Sequence, residues 1–174
     1  FDTKSLFLIS AGGVFKNNQT SYLSNPIYLK QLVISQPGDL NFVMNKVMYS
    51  PPFVPSLIKK QQEQLFISQS SDTNNLIGHL LDLNKLYTVN SFATMLKNIE
   101  APTLILWGKQ DPIVNVEVAT DLKTTLKHAE QPIILDRVGH LPIIEAPERV
   151  AESYLAFLNK QERQDTVQPN AKRQ

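Results

Sequence analysis

Three short runs of mostly apolar residues stand out from the mixed pattern of the rest of the chain. Residues 5–10 form the first run, which a flexible turn containing Gly12 and Gly13 ends. Residues 103–107 form the second run, and residues 132–135 form the third. Runs without polar alternation are typical of strands buried on both faces of a parallel sheet. We therefore predict three strands of this kind.

Between the first two runs, polar and apolar residues mix at helical spacing instead. Prolines interrupt residues 14–91 repeatedly, which favours several short helices over a few long ones. The helices predicted from the apolar spacing cover residues 25–35, 41–49, 56–68 and 73–83.

The C-terminal part predicts two further helices. Apolar residues recur at intervals of three and four within residues 116–126, which is the spacing of one helix face. A final helix is predicted over residues 147–158, where Pro147 suits the first turn and Glu148 lies beside the positive end of the helix dipole.

The order of these elements predicts an α/β fold of parallel strands with right-handed crossover helices. The helical residues 14–91 are then an insertion between two neighbouring strands. We divide the chain into a core strand at residues 1–13, the inserted helices at 14–91, a C-terminal core at 92–160 and a flexible tail at 161–174.

Composition excludes several classes of protein. The chain has 174 residues, of which 42% are hydrophobic and 19% charged, and its net charge is +1, so we expect one globular domain that does not bind nucleic acid. The absence of cysteine rules out disulfides, thiolate nucleophiles and cysteine-bound metals. No apolar run approaches the roughly 20 residues that a membrane-spanning helix needs.

Asp111 and His140 each follow a predicted strand, and 29 residues separate them, about one strand-helix-strand unit. Chemistry in open α/β sheets takes place beyond the carboxyl ends of the strands, where these two side chains can meet. A carboxylate that binds one imidazole nitrogen fixes the tautomer and stabilises the imidazolium formed when the other nitrogen takes a proton. We therefore predict the general-base half of a nucleophilic relay.

Three motifs carry a resemblance to a known family. The run 104–111, the Gly-His-Leu-Pro of 139–142 and the Glu-Ala-Pro-Glu of 145–148 resemble the C-terminal end of an α/β-hydrolase, most closely bacterial lipases and esterases of the Psychrobacter and Moraxella type. The resemblance implies that Asp111 is the catalytic acid, His140 the catalytic histidine, and residues 14–91 a helical cap. It implies acyl esters or lipids as substrates and no metal or organic cofactor. Resemblance to exported lipases favours secretion or the cell envelope, while the residues themselves leave the compartment open.

The nucleophile of that family is missing from the sequence. Its serine lies in a Gly-x-Ser-x-Gly motif, and no two glycines of this chain bracket a serine at that spacing. The chain also starts at Phe1 rather than Met, so we expect part of a longer protein, the half that follows the nucleophile. The chain alone is expected to be inactive. Its first strand, residues 6–9, is expected to be an unpaired edge of the sheet that pairs with another chain or with the N-terminal half.

Pocket residues are less well defined by the sequence. Ile113 and Leu141 flank the candidate acid and histidine and are predicted pocket walls. Met48 and Phe53 line an acyl pocket or form the core of the cap, and the sequence leaves both interpretations open. Glu145 is interpreted as a surface, capping or structural residue rather than a metal ligand.

Two other functions remain open at this stage. One is another branch of the same superfamily, such as a C–C bond, epoxide or halide hydrolase or a haloperoxidase, because all of these share an acid, a histidine and a cap. The other is a non-catalytic scaffold derived from a hydrolase.

Overall fold

A parallel three-stranded sheet forms the centre of the protein. The computed structural model describes residues 3–16 and 25–167. The strands are β1 (Leu6–Ile9), β2 (Thr103–Gly108) and β3 (Ile133–Leu135), in the order β1-β2-β3. Leu6 pairs with Thr103, and Leu106 with Ile133. The predicted α/β fold with parallel strands is confirmed.

Eight helices accompany the sheet within the described residues. They are α1 (Pro26–Lys30), α2 (Asp39–Val47), α3 (Ser56–Ser68), α4 (Ser70–Leu86), α5 (Val89–Leu96), α6 (Val118–Thr125), α7 (Pro142–Glu145) and α8 (Pro147–Val167). Helices α1 to α5 lie between β1 and β2 in the sequence. None of the helices in the described ranges is both long and apolar enough to cross a membrane.

Several predicted helix boundaries need correction. Helix α2 covers Asp39–Val47 rather than residues 41–49. Helix α1 ends at Lys30 rather than at residue 35, and α4 begins three residues earlier and ends three residues later than predicted. Helix α8 continues to Val167, so part of the expected tail is helical. The sequence prediction missed α5, because the proposed boundary at residue 91 cut through it, and α7, whose single turn is too short for a periodic pattern.

The sheet is packed on both faces. Ile105 and Trp107 point to one side, where they join a buried cluster with α6 through Val118, Ala119 and Leu122. All residues of β2 are buried, as expected of the central strand in a parallel sheet.

The opposite face of β2 packs against the last helix. Leu106 forms a second buried cluster with Leu135 of β3, with Ala146 directly before α8 and with Val150 near the start of α8. Side chains alternate across a strand, so β2 supplies both clusters and fixes the position of the turn that follows it.

Ser10, directly after β1, is in an unfavourable local state. Its φ of 44° lies in the left-handed region, and its buried hydroxyl finds no hydrogen-bond partner among the described residues. A left-handed backbone costs a non-glycine residue about 1 kcal/mol, and an unpaired buried hydroxyl costs about 1–3 kcal/mol.

Ser10→Gly is therefore expected to raise the free energy of unfolding of this chain by about 1 kcal/mol or more, because glycine removes both costs. Urea denaturation measures the change. The matched control is Ser153→Gly within α8, which is expected to lower stability by about 1 kcal/mol. A lower urea midpoint for Ser10→Gly would contradict this interpretation.

Candidate active site

Asp111 is held rigidly in the turn that follows β2. Its Oδ1 accepts the backbone N–H groups of Ile113 at 2.8 Å and Val114 at 3.0 Å, and its own N–H donates to the Gly108 carbonyl at 3.2 Å. The carboxylate is fully buried, with 0% of the side chain exposed. These bonds leave Oδ2 directed away from the turn.

His140 lies in the loop after β3 and meets that second oxygen. Its Nδ1 is 2.9 Å from Oδ2 of Asp111, and 24% of its side chain is exposed. The structure thus brings together the two residues that the sequence singled out, 29 positions apart. The catalytic role of the pair stays a prediction.

This geometry suits proton transfer. A buried carboxylate that accepts the Nδ1–H of an imidazole fixes the tautomer in which Nε2 carries the lone pair. It also stabilises the positive charge that appears when Nε2 takes a proton. The partial exposure of His140 places that chemistry at the surface of the described residues rather than in the core.

The loop of His140 rests directly on the chain that leaves α2. The His140 N–H donates to the Val47 carbonyl at 2.8 Å, and the Gly139 N–H donates to Oε1 of Glu145 at 2.9 Å. A Cβ at Gly139 would lie 2.6 Å from the Val47 oxygen and 2.7 Å from the Tyr49 nitrogen. Only glycine permits this close approach.

Gly108, at the end of β2, is packed as tightly against the same loop. A Cβ there would lie 2.0 Å from the Gly139 oxygen and 2.5 Å from the Val138 oxygen. The turn of Asp111 and the loop of His140 therefore touch through their backbones, which keeps the two side chains within hydrogen-bonding distance.

Gly108→Ala is expected to destabilise the protein by about 3 kcal/mol, because the added methyl group meets backbone atoms that cannot rotate away. Chemical denaturation monitored through Trp107 fluorescence measures the loss. Gly78→Ala on α4 is the matched control, since nothing lies within 4 Å of the added carbon. The control is expected to gain about 0.5–1 kcal/mol from the higher helix propensity of alanine. Equal effects of the two variants would contradict the packing argument.

Polar side chains also join the two loops at the surface. Gln110 donates to Asp136 at 3.2 Å and accepts the Val138 N–H at 3.2 Å, while Lys109 lies 3.4 Å from Asp136. The hydrogen bond from Gln110, and then that from Lys109, holds the pKa of Asp136 below its usual range. A lowered pKa means that this stabilisation is present above the ordinary aspartate pKa and is lost as the pH falls.

His140 opens onto an apolar cleft of about 310 Å³. The residues that line it are Ile9, Ser10, His140, Leu141, Pro142, Ile143 and Ile144. The cleft lies beyond the carboxyl end of β1, where ligands bind in open α/β sheets. A site of this kind suits an apolar group attached to a polar centre that reacts at the imidazole.

Comparison with solved structures decides the fold family. A putative lipase from Acinetobacter baumannii AYE matches with a TM-score of 0.90 and 51% identity, over 93% of this chain and 54% of that one. A bacterial membrane phospholipase A matches with a TM-score of 0.78 and 30% identity, over 92% of this chain and 50% of that one. Further hydrolases and esterases at 15–19% identity, including an α/β-hydrolase from a deep-sea metagenome, share the fold with TM-scores of 0.58–0.67. The chain has the fold of the C-terminal half of an α/β-hydrolase.

Sequence relatives agree with this assignment. Lipase 1 of Psychrobacter immobilis is 30% identical over 161 residues, which are 90% of this chain and 48% of that protein. The resemblance to lipases of the Psychrobacter and Moraxella type is therefore confirmed. No family model matches the chain. The chain spans about half the length of the curated relatives it matches.

The predicted pocket residues lie in three different places of the described structure. Leu141 lines the cleft beside His140. Ile113 and Met48 are buried in the core cluster around Trp107. Phe53 is 91% exposed and belongs to a separate surface cleft, so the structure does not bring it together with His140.

Glu145 is the site residue whose contacts the sequence did not reveal. Its hydrogen bonds reach Tyr49 and Ser50, 96 and 95 positions earlier in the chain. The sequence predicted a surface or capping role for Glu145, and the family resemblance implied a structural one, but neither indicated which segments it binds. Within the described ranges, no three His, Asp or Glu side chains are grouped so that they can hold a metal ion.

Proposed function

We propose that this chain supplies the acid and the general base of a serine ester hydrolase that cleaves acyl esters. The observation that carries the proposal is the Asp111–His140 pair, joined at 2.9 Å beside an apolar cleft. The lipases and the phospholipase among its relatives support lipid esters as the substrate class. The nucleophilic serine is contributed by a part of the protein outside residues 1–174.

In the proposed reaction, His140 Nε2 takes the proton of the attacking serine while the serine oxygen bonds to the ester carbonyl carbon. His140 then gives that proton to the leaving alcohol, and an acyl-enzyme remains. Water attacks the acyl carbon, its proton passes through His140 to the serine oxygen, and the acid is released. Asp111 orients the ring through Nδ1. Backbone N–H groups outside this chain hold the oxyanion.

The edge of β1 gives the proposal a structural requirement. Among the described residues, β1 pairs with β2 on one side only. Open edges of parallel strands invite pairing with another strand. We expect the N-terminal half, or failing that another chain, to cover Leu6–Ile9, and the same half to bring the serine to His140.

The experiment compares the natural gene product with the isolated 174-residue chain. Intact mass gives the length of the natural protein, and hydrolysis of a short and a long p-nitrophenyl ester gives its activity. We expect a mass well above 19.7 kDa and ester hydrolysis that the isolated chain lacks. A natural product near 19.7 kDa without activity would support the scaffold alternative instead.

A further inference from the structure

Glu145, at the end of α7, binds two segments that lie far apart in the sequence. Its Oε1 accepts the N–H of Gly139 at 2.9 Å. Its Oε2 accepts the N–H groups of Tyr49 at 2.7 Å and of Ser50 at 3.0 Å. Gly139 directly precedes His140, and the other two donors lie just beyond α2. Each carboxylate oxygen thus holds one segment.

Residues 47–50 also contact the loop of His140 directly, without Glu145. The Val47 carbonyl accepts the N–H of His140 at 2.8 Å, and Met48 is buried in the core cluster with Trp107. The close fit at Gly139 leaves no space between the two backbones. Residues 47–50 are therefore anchored in the core through Met48 and support the backbone of His140 through Val47.

The imidazole is fixed at two points as a result. Asp111 holds the ring through Nδ1, while residues 47–50 hold the backbone from which the ring extends. Hydrogen bonds to a carboxylate are roughly twice as strong as those between neutral groups, so Glu145 is well suited to keep the two segments together. A shift of about 1 Å in a catalytic group can reduce the rate about a hundredfold.

We propose that Glu145 is a positioning residue for His140, which it serves by holding residues 47–50 of the cap against the loop that carries the imidazole. The inference rests on the proposed function, because it takes His140 to be the general base. It adds that the residues at the end of α2 set the geometry of that base, so the helical insertion supports the catalytic histidine.

The test replaces Glu145 by glutamine in the natural gene product. Glutamine keeps the size of the side chain but offers one acceptor oxygen, so one of the two segments faces an NH₂ group instead. We expect kcat for a p-nitrophenyl ester to fall about tenfold or more, with KM changed less than about threefold. The imidazole ¹⁵N signals of His140, recorded without substrate, are expected to show a weakened bond to Asp111.

Glu148→Gln is the matched control, because Glu148 is exposed in the first turn of α8, three positions further on. It is expected to leave kcat and the His140 signals unchanged. Should Glu145→Gln fail to fold, Glu145→Asp is used, which keeps the charge but is one methylene group too short to reach both segments. It is expected to show the same changes to a smaller extent.

The outcomes separate this inference from the proposed function. A positioning role is contradicted if the Glu145 variants lose thermal stability while kcat and the His140 signals stay those of the unchanged protein. If the protein hydrolyses no ester, the proposed function fails, and the His140 signals still decide whether Glu145 positions the ring.

Discussion

Replacing His140 by alanine is expected to lower kcat for ester hydrolysis by roughly four to six orders of magnitude in the protein that carries this chain. The imidazole lies beside the cleft and is held by the buried carboxylate of Asp111, the arrangement of a general base. Without it, the serine is not deprotonated and the leaving alcohol is not protonated. Steady-state kinetics with a short p-nitrophenyl ester measure the loss.

The control for this variant is His128→Ala. His128 is exposed and lies 3.5 Å from Glu100, at the opposite end of β2 from the turn that carries Asp111. Its removal is expected to leave kcat within about twofold, as befits a surface side chain outside the site. A His140→Ala protein that keeps more than a tenth of the original kcat would contradict the assigned role.

Asp111→Asn is expected to reduce kcat by roughly four orders of magnitude while the fold stays intact. The amide oxygen can still accept the N–H groups of Ile113 and Val114, so the turn is preserved. The NH₂ group then faces Nδ1 of His140 and donates to it. The imidazole is forced into the tautomer with its proton on Nε2, which cannot accept the proton of a serine.

Kinetics and imidazole ¹⁵N spectra together test this prediction. The spectra of Asp111→Asn are expected to show the exchanged tautomer, and its melting temperature is expected to stay close to that of the unchanged protein. The control is Asp82→Asn on the exposed face of α4, which breaks an ion pair with Lys85 and is expected to leave kcat unchanged. Wild-type activity in Asp111→Asn would mean that another group orients His140.

The central sheet was predictable because each of its strands can be recognised from a few consecutive residues. Each strand is a short run of apolar residues, and β2 fits the pattern best with every residue buried. The predicted burial on both faces is wrong for β3, where Ile134 is exposed, and β1 is only partly buried. Helix α6 was predictable for a similar reason, since Val118, Ala119 and Leu122 lie on one face and all are buried. The exact ends of α1, α4 and α8 were not, because packing and capping decide where a helix stops.

The contact between Asp111 and His140 followed from topology. Neighbouring parallel strands end at the same edge of the sheet, so residues that follow β2 and β3 are brought together there. The contacts of Glu145 did not follow from any pattern, because its partners at Tyr49 and Ser50 come from the helical insertion almost a hundred positions earlier. The path of that insertion over the sheet depends on tertiary packing.

The position of Phe53 illustrates the same limit. Its aromatic side chain suits either an acyl pocket or the core of the cap, yet 91% of it is exposed in the described chain. Met48, from the same part of the sequence, is buried in the core cluster that also contains Trp107. Hydrophobicity alone does not tell these two places apart, since the loop between α2 and α3 decides which side chain turns inward.

One measurement tests the central claim most directly: labelling of the natural gene product with a fluorophosphonate, followed by peptide mass spectrometry. The reagent reacts preferentially with a serine that an adjacent base activates. We predict a single labelled serine outside residues 1–174, and loss of the label in His140→Ala. A label on a serine within residues 1–174, or a label that persists in His140→Ala, would contradict the claim that this chain supplies the base to a nucleophile carried elsewhere.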